Sequence, residues 1–344
     1  MKTDIRKFEY PDIEEVITRF GESKFRAKQV YDWIWTKGAG SFEEMTSLSK
    51  TLRSRLGDSF CFTRIQPLIQ QVSRDGTIKT GFRLHDSHIV EGVLIPSNDR
   101  ATACISTQVG CAMNCHFCAT GMLGFTRNLD HGEIFDQFVM LNALSIEKIG
   151  IPLSNMVVMG MGEPFLNFEN LMRALAIISS PEGINFSPTR ITVSTIGIPE
   201  KIRAFADLHT TINLSVSLHS AIDAVRSSMM PAAKKFKLSQ IRDSIDYFYK
   251  NTGLRITYEY ILFENINDDM KHAKALAEFC KISPCKINLI VYNHTSDSTF
   301  RASSSEHQSA FVEYLESKNL IVNIRRSKGS DIDAACGQLA NKNR

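Results

Sequence analysis

Apolar positions in the first sixty residues recur at helical spacing. Ile13, Val16, Ile17 and Phe20 share one stripe of a helix expected over 12–20, and Gly21 suits its C-terminal stop. Ser23 can cap a second helix over 24–37, where Phe25, Val30, Trp33, Ile34 and Trp35 supply apolar surface. A third helix is expected from Ser41, since Ser41-Phe-Glu-Glu44 has capping-box spacing, onward through Leu48, Leu52 and Leu56. The period then shortens to two. Runs at 65–72 and 77–84 flank Asp75-Gly76, a hairpin signal, and 89–95 adds a third strand, so a β-meander is expected. Glu91 interrupts the last of these strands. Pointing outward it is solvated; pointing inward, burial would raise its pKa and make it a proton acceptor.

From residue 101 short apolar runs alternate with helical patterns. Strands are expected at 101–107, 155–159, 189–194, 212–217, 255–262 and 286–291, with helices at 130–144, 168–179, 199–205, 238–250 and 268–279 between them. Six such units with mostly continuous apolar strands predict an α/β fold with a parallel sheet covered by helices. Six is fewer than a closed barrel needs, so an open, partial (β/α)6 barrel fits, with functional residues at the C-terminal strand ends. A seventh strand-like run, 319–325, precedes a polar tail. The expected organisation is a helical module over 1–60, the meander over 61–96, the α/β core over 97–329, and a C-terminal loop and tail over 330–344.

Composition is that of a globular chain, 43% hydrophobic and 22% charged. A formal charge of +3 does not announce nucleic acid by itself. Eight basic and four acidic residues between Arg19 and Arg55 read either as a solvated helix face or as a grip on RNA phosphates. No apolar run approaches a membrane span and the N-terminal residues lack a signal-peptide core, so a cytoplasmic protein without a membrane partner is expected. In that compartment cysteines stay reduced and serve as ligands or catalysts.

Four of the eight cysteines lie within 102–124. Cys111, Cys115 and Cys118 form C-x3-C-x2-C, and Cys104 precedes them. Three thiolates on one loop with no evident fourth ligand suit an iron–sulfur cubane with one iron open to substrate; structural zinc is the alternative. The other strand ends carry small or polar residues. Gly162 and Glu163 follow the second strand, Ser194 ends the third, Ser217-Leu218-His219 ends the fourth and Asn293 follows the sixth. Glycines there permit close backbone approach, Glu163 can accept from an ammonium group, and the hydroxyls and amide can hold a ribose or carboxylate.

With Phe117 before its last cysteine, the C-x3-C-x2-C loop resembles that of the radical S-adenosylmethionine (SAM) superfamily. The runs Cys104-Ile-Ser-Thr-Gln-Val-Gly-Cys111, Gly160-Met-Gly-Glu-Pro164, Leu214-Ser-Val-Ser-Leu-His-Ser220 and Asp331-Ile-Asp-Ala-Ala-Cys-Gly-Gln338 narrow this. They resemble the RlmN-like dual-specificity RNA methyltransferases, which methylate C2 of an adenosine in 23S ribosomal RNA and, in some members, of one beside the tRNA anticodon. The resemblance implies a radical-SAM barrel with an N-terminal RNA-binding accessory domain. It implies one [4Fe–4S] cluster on Cys111, Cys115 and Cys118. It also implies two SAM molecules consumed per turnover, contacted by Gly162, Glu163, Ser194, Ser217, Leu218, His219 and Asn293. Cys336 would take a methyl group as methyl-cysteine, Cys104 would resolve the RNA adduct and leave a Cys104–Cys336 disulfide, and Glu91 would be the proton acceptor. An electron donor such as flavodoxin or ferredoxin is implied. Two alternatives stay open: a relative that methylates C8 of the same adenosine, and a non-catalytic iron–sulfur RNA-binding redox sensor. Cys336 and Glu163 separate the latter, since neither is needed to hold a cluster. Arg325, Arg326 and Lys328 read either as a solvated turn or as contacts to RNA phosphate, and Cys61, Cys280 and Cys285 as small hydrophobes.

Overall fold

The computed structural model describes residues 2–294 and 298–340; residues 341–344 of the expected tail lie outside them. The short strand β1 (Thr3–Asp4) pairs in parallel with β2 (Phe60–Cys61), closing a module built from α1 (Tyr10–Arg19), α2 (Lys24–Trp35) and α3 (Lys50–Ser59). Helix α1 starts ahead of its apolar stripe because Asp12 Oδ2 accepts the Glu9 N–H at 2.9 Å. Ser23 caps α2 as its sequence predicts. The third helix differs from expectation. Glu44 reaches back to the Gly40 N–H at 3.1 Å, and 41–48 form turns that bury Phe42, Met45 and Leu48. Helix begins only after Ser49, whose Oγ accepts the Leu52 N–H at 3.1 Å. The module docks on the core through Trp35, edge-on to Phe135 at 5.0 Å, and through the buried Arg6–Asp136 ion pair at 2.9 Å.

The meander comprises β3 (Gln66–Val72), β4 (Ile78–Arg83) and β5 (Ile89–Ser97), and β5 pairs antiparallel with β6 (Arg100–Cys104). Next, β7 (Gln108–Gly110) and β8 (Phe125–Asn128) pair outside the main sheet and frame the cysteine loop with its short helix α4 (Ala119–Met122). The alternation follows in chain order: α5 (His131–Ile149), β9 (Asn155–Val158), α6 (Phe168–Ser179), β10 (Ile191–Thr195), α7 (Pro199–Asp207) and β11 (Asn213–Ser217). After these come α8 (Asp223–Met229), α9 (Leu238–Thr252), β12 (Ile256–Leu262), α10 (Met270–Phe279), β13 (Cys285–Val291), α11 (Ser305–Ser317) and β14 (Ile321–Arg325).

These strands make one ten-stranded sheet, ordered β14-β13-β12-β11-β10-β9-β6-β5-β4-β3. The α/β class and open radical-SAM architecture stand, with two refinements. The run at 319–325 becomes a further parallel strand, β14, beside β13 with Leu289 opposite Ile324. The meander is no separate layer but the antiparallel edge of the same sheet. Helix α11 escaped the sequence reading because only Phe311 and Leu315 of its residues are buried, too thin a stripe to set a period. Strand β12 is buried along its whole length, Glu259 included.

Candidate active site

The C-terminal ends of the parallel strands open into a cavity of about 240 Å³. It is lined by Cys111, Cys115, Cys118, Gly162, Glu163, Ser194, Ser217 and His219, and also by Cys104 and Cys336. Three further expected residues stand outside this lining. Leu218 is fully buried behind it, with its N–H on the Glu259 carbonyl at 3.0 Å. Asn293 is half-buried just beyond β13. Glu91 is buried in β5, where it pairs with Lys79 at 3.4 Å and its Oε2 accepts the Ala340 N–H at 2.9 Å.

The cysteine loop is shaped by backbone. The Cys111 N–H donates to Gly124 O at 2.8 Å, and Gly110, at φ 75, has no room for a side chain because a Cβ would stand 1.8 Å from that same oxygen. Burial pushes Cys111 up to about 12 and raises Cys115 and Cys118, and neighbouring negative charges add to the rise at Cys111 and Cys115. Thiols so crowded resist ionisation unless a metal neutralises them, which suits a cluster site. Among the described residues no group closes around a single metal ion. A cubane does not require that, since each cysteine binds a different iron. The all-thiol donor set, on a common wall with room in front, fits the cluster.

Glu163 is held from three sides. Oε1 accepts the Phe165 N–H at 3.1 Å and the Thr195 hydroxyl at 2.6 Å, and Oε2 accepts the Ile196 N–H at 2.8 Å. Burial still outweighs these bonds and pushes its carboxyl up to about 6. A positively charged partner in the cavity would relieve that. Ser194 and Ser217 hydroxyls lie 3.3 Å apart on neighbouring strands. His219, at φ 54, accepts the Ile261 N–H on Nδ1 at 3.1 Å; burial, then Arg226, pushes it down to about 3, so it is neutral. Arg226 is fully buried and donates to Leu218 O at 3.1 Å, Phe236 O at 3.4 Å and Ile196 O, tying the ends of β10 and β11 together.

Cys104 ends β6 and is buried, while Cys336 is exposed to the cavity. Burial and the neighbouring Cys336 push Cys104 up to about 12. Although Cys336 opens on the cavity, the protein around it strips away enough water to raise its thiol against the pull of Arg325. Arg325 stands 3.5 Å from Glu259, which also accepts from Ser215 at 3.0 Å and Asn288 at 2.9 Å. The sequence reading missed Glu259, Gln108, Thr195 and Arg226. A glutamate inside the apolar run of β12 was a visible signal of the same kind as Glu91; the other three reveal themselves only by contact.

Comparison with known proteins places this geometry. The family model for the ribosomal RNA large subunit methyltransferase N-terminal domain matches residues 3–62, and that for the radical SAM superfamily matches residues 105–277. A Flavobacterium johnsoniae protein described as "Probable dual-specificity RNA methyltransferase RlmN" is 47% identical over 341 residues, spanning 99% of this chain and 98% of its own. A Bacillus subtilis protein of the same description is 40% identical, spanning 100% and 94%. The crystal structure of a radical SAM methyltransferase from Sphaerobacter thermophilus superposes with a TM-score of 0.92 at 38% identity, covering 98% of this chain and 99% of that one. The chain therefore belongs to the RlmN family of radical SAM, dual-specificity RNA methyltransferases.

Proposed function

We propose that this SAM-dependent RNA methyltransferase methylates C2 of an adenosine in 23S ribosomal RNA, and of one beside the tRNA anticodon, through a methyl-cysteine on Cys336. One observation carries the reading: Cys104 and Cys336, far apart in sequence, line one cavity with the three cluster cysteines. Neither Cys336 nor Glu163 is needed to hold a cluster; a thiol pair alone would also serve a redox sensor, so Glu163 in the same lining is what favours catalysis over sensing.

C2 of adenine has no nucleophilic lone pair, so displacement at the SAM sulfonium must first be done by something else. The Cys336 thiolate does it, taking the methyl group on sulfur. Cys111, Cys115 and Cys118 would hold a [4Fe–4S] cluster, which with SAM would supply one-electron chemistry in both directions: making a carbon radical of the S-methyl group and taking one electron back after its addition to C2. Glu163 accepts the methionyl ammonium beside Gly162; Ser194, Ser217 and His219 hold the rest of SAM from the cavity wall, with Leu218 backing that wall and Asn293 beyond β13 at its margin. Glu91 is the proton acceptor that the family resemblance implies, and to reach the C2 proton its carboxylate must give up the Lys79 pair and the Ala340 N–H. Once the adduct has lost one electron and the C2 proton, the Cys104 thiolate attacks Cys336 Sγ. The electron pair of the Sγ–carbon bond leaves on the RNA-borne carbon, which takes up a proton to complete the methyl group. Two electrons from the donor reduce the Cys104–Cys336 disulfide before the next turnover. Arg325, Arg326 and Lys328 on the cavity wall meet RNA phosphate, and the target base must be unstacked to enter. One cluster per chain, two SAM per turnover, and a flavodoxin- or ferredoxin-like electron donor in the cytoplasm complete the reading.

The test uses anaerobically reconstituted enzyme with 23S RNA fragments and tRNA in parallel. Cys336→Ala is expected to abolish methylation and Cys104→Ala to accumulate a covalent protein–RNA adduct. Nucleoside mass spectrometry is expected to find 2-methyladenosine; 8-methyladenosine as main product would overturn the C2 assignment.

A further inference from the structure

The segment that carries Cys336 is a strap tied down at both ends. At its start the hairpin turn between β3 and β4 grips it. Asp75 Oδ2 accepts the Gly329 N–H at 2.9 Å, while Asp331 accepts the Ser73 hydroxyl on Oδ1 at 2.5 Å and the Arg74 N–H on Oδ2 at 3.1 Å. At its end the cysteine loop grips it. The Ala119 N–H donates to Gly337 O at 2.7 Å, and the Thr120 hydroxyl to Leu339 O at 2.7 Å. Lys79, on β4, also donates to Asp333 O at 3.3 Å.

Between these anchors the backbone is left-handed at Gly329, Asp333 and Gly337, with φ of 68, 53 and 82. Asp333 has a side chain and sits there at a cost of about 1 kcal/mol. Gly329 could not be anything larger, because a Cβ would fall 2.8 Å from both Thr77 Cγ2 and Ala334 Cβ. From within, the path has a short 3-10 turn (Ser330–Ile332) and bonds from the Ala334 N–H to Gly329 O at 2.9 Å and from the Gln338 N–H to Ala335 O at 3.0 Å; the outside anchors fix where it lies. The anchors are also permanently charged near neutrality. Burial opposes the Asp75 carboxylate, but bonds from Thr77, Gly329 and Ser73 hold it down to about 2, and the Ser73 hydroxyl holds Asp331 low as well.

We infer that the hairpin turn 73–77 is the docking site of the Cys336 strap, with Asp75 and Asp331 as positioning residues that set where the thiol stands relative to Cys104. The catalytic consequence rests on the reading of Cys336 as methyl carrier; the docking itself does not. The meander at the sheet edge thereby acquires a task at the strand ends.

The experiment compares cluster-loaded wild type with Asp331→Ala, Asp75→Ala and Asp75→Asn by hydrogen exchange and by RNA methylation. Both carboxylates lie at the surface, so the variants keep the core intact. Losing one anchor is expected to raise the released population about tenfold, the effect of losing one charge-assisted bond. Amides over 334–338, which touch neither aspartate, are expected to exchange about tenfold faster in both alanine variants. Asp75→Asn has one oxygen for two N–H groups, that of Gly329 on Oδ2 and that of Thr77 on Oδ1, and is expected to restore protection only in part. The kcat for methylation falls in step, while the KM for RNA and the affinity for SAM do not change. Unchanged exchange over 334–338 in Asp331→Ala or in Asp75→Ala overturns the docking role. Full activity in Cys336→Ala would overturn the methyl-carrier reading alone, leaving the exchange results to decide the strap.

Discussion

At Gly162 a single missing carbon decides the shape of the site. Its φ of 100 is a conformation other residues avoid, and a Cβ would lie 2.5 Å from Gln108 Cβ and 2.9 Å from its backbone nitrogen. Gln108 in turn accepts the Glu163 N–H on Oε1 at 2.8 Å, so crowding there displaces the carboxylate assigned to the SAM ammonium. Gly162→Ala is expected to destabilise the fold by about 2 kcal/mol and to weaken SAM binding. Chemical denaturation and equilibrium dialysis with SAM check the two effects; unaltered SAM affinity would remove Gln108 from the argument. Gly162 and Glu163 were legible as residue types at a strand end. The partners of Glu163, namely Gln108, Thr195 and Ile196, were not, because they come from separate segments and no spacing rule joins them.

Among the elements, the contact between α2 and α5 fixes the N-terminal module to the core. Trp35 is buried there against Phe135 and lies 5.6 Å from His131, whose Nε2 meets Arg6 O at 2.8 Å. Trp35→Ala is expected to cost about 3–5 kcal/mol in urea denaturation. His131 adds a pH dependence. Burial, with Arg173 nearby, pushes it down to about 4 from an ordinary 6.5, so the unfolded state takes the proton first as pH falls. Its contribution is complete above about pH 6.5, declines through the window down to about 4 and is flat below. Stability measured across that window should slope upward with pH, and His131→Gln should flatten the slope. The helices themselves were largely readable from apolar stripes and caps. Helix α3 was not read correctly at its start: the Ser41–Glu44 spacing suggested a capping box, but 41–48 fold as turns that bury Phe42, Met45 and Leu48, and Ser49 caps the helix instead.

Over the whole molecule, the sheet brings the meander, the cysteine loop and the C-terminal strap to one end of the parallel strands. Since the strap's last anchors are Ala119 and Thr120 on the cysteine loop, loss of the cluster should loosen both segments together. Chelation of iron is expected to speed hydrogen exchange over 108–128 and 329–340 while β10 to β13 stay protected; a strap that stays protected would separate it from the cluster. The sequence by itself determined the periodic elements and the parallel α/β class, and marked the C-x3-C-x2-C loop as a candidate cluster site, because these rest on local spacing and on what three neighbouring thiols can bind. Only the tertiary structure decided that β14 completes the parallel run, that the meander shares the sheet, and that Cys336 stands in the cavity with Cys104. Those are contacts between segments distant in the chain, made by sheet register and by side chains such as Asp75 and Asp331, and local spacing does not encode them.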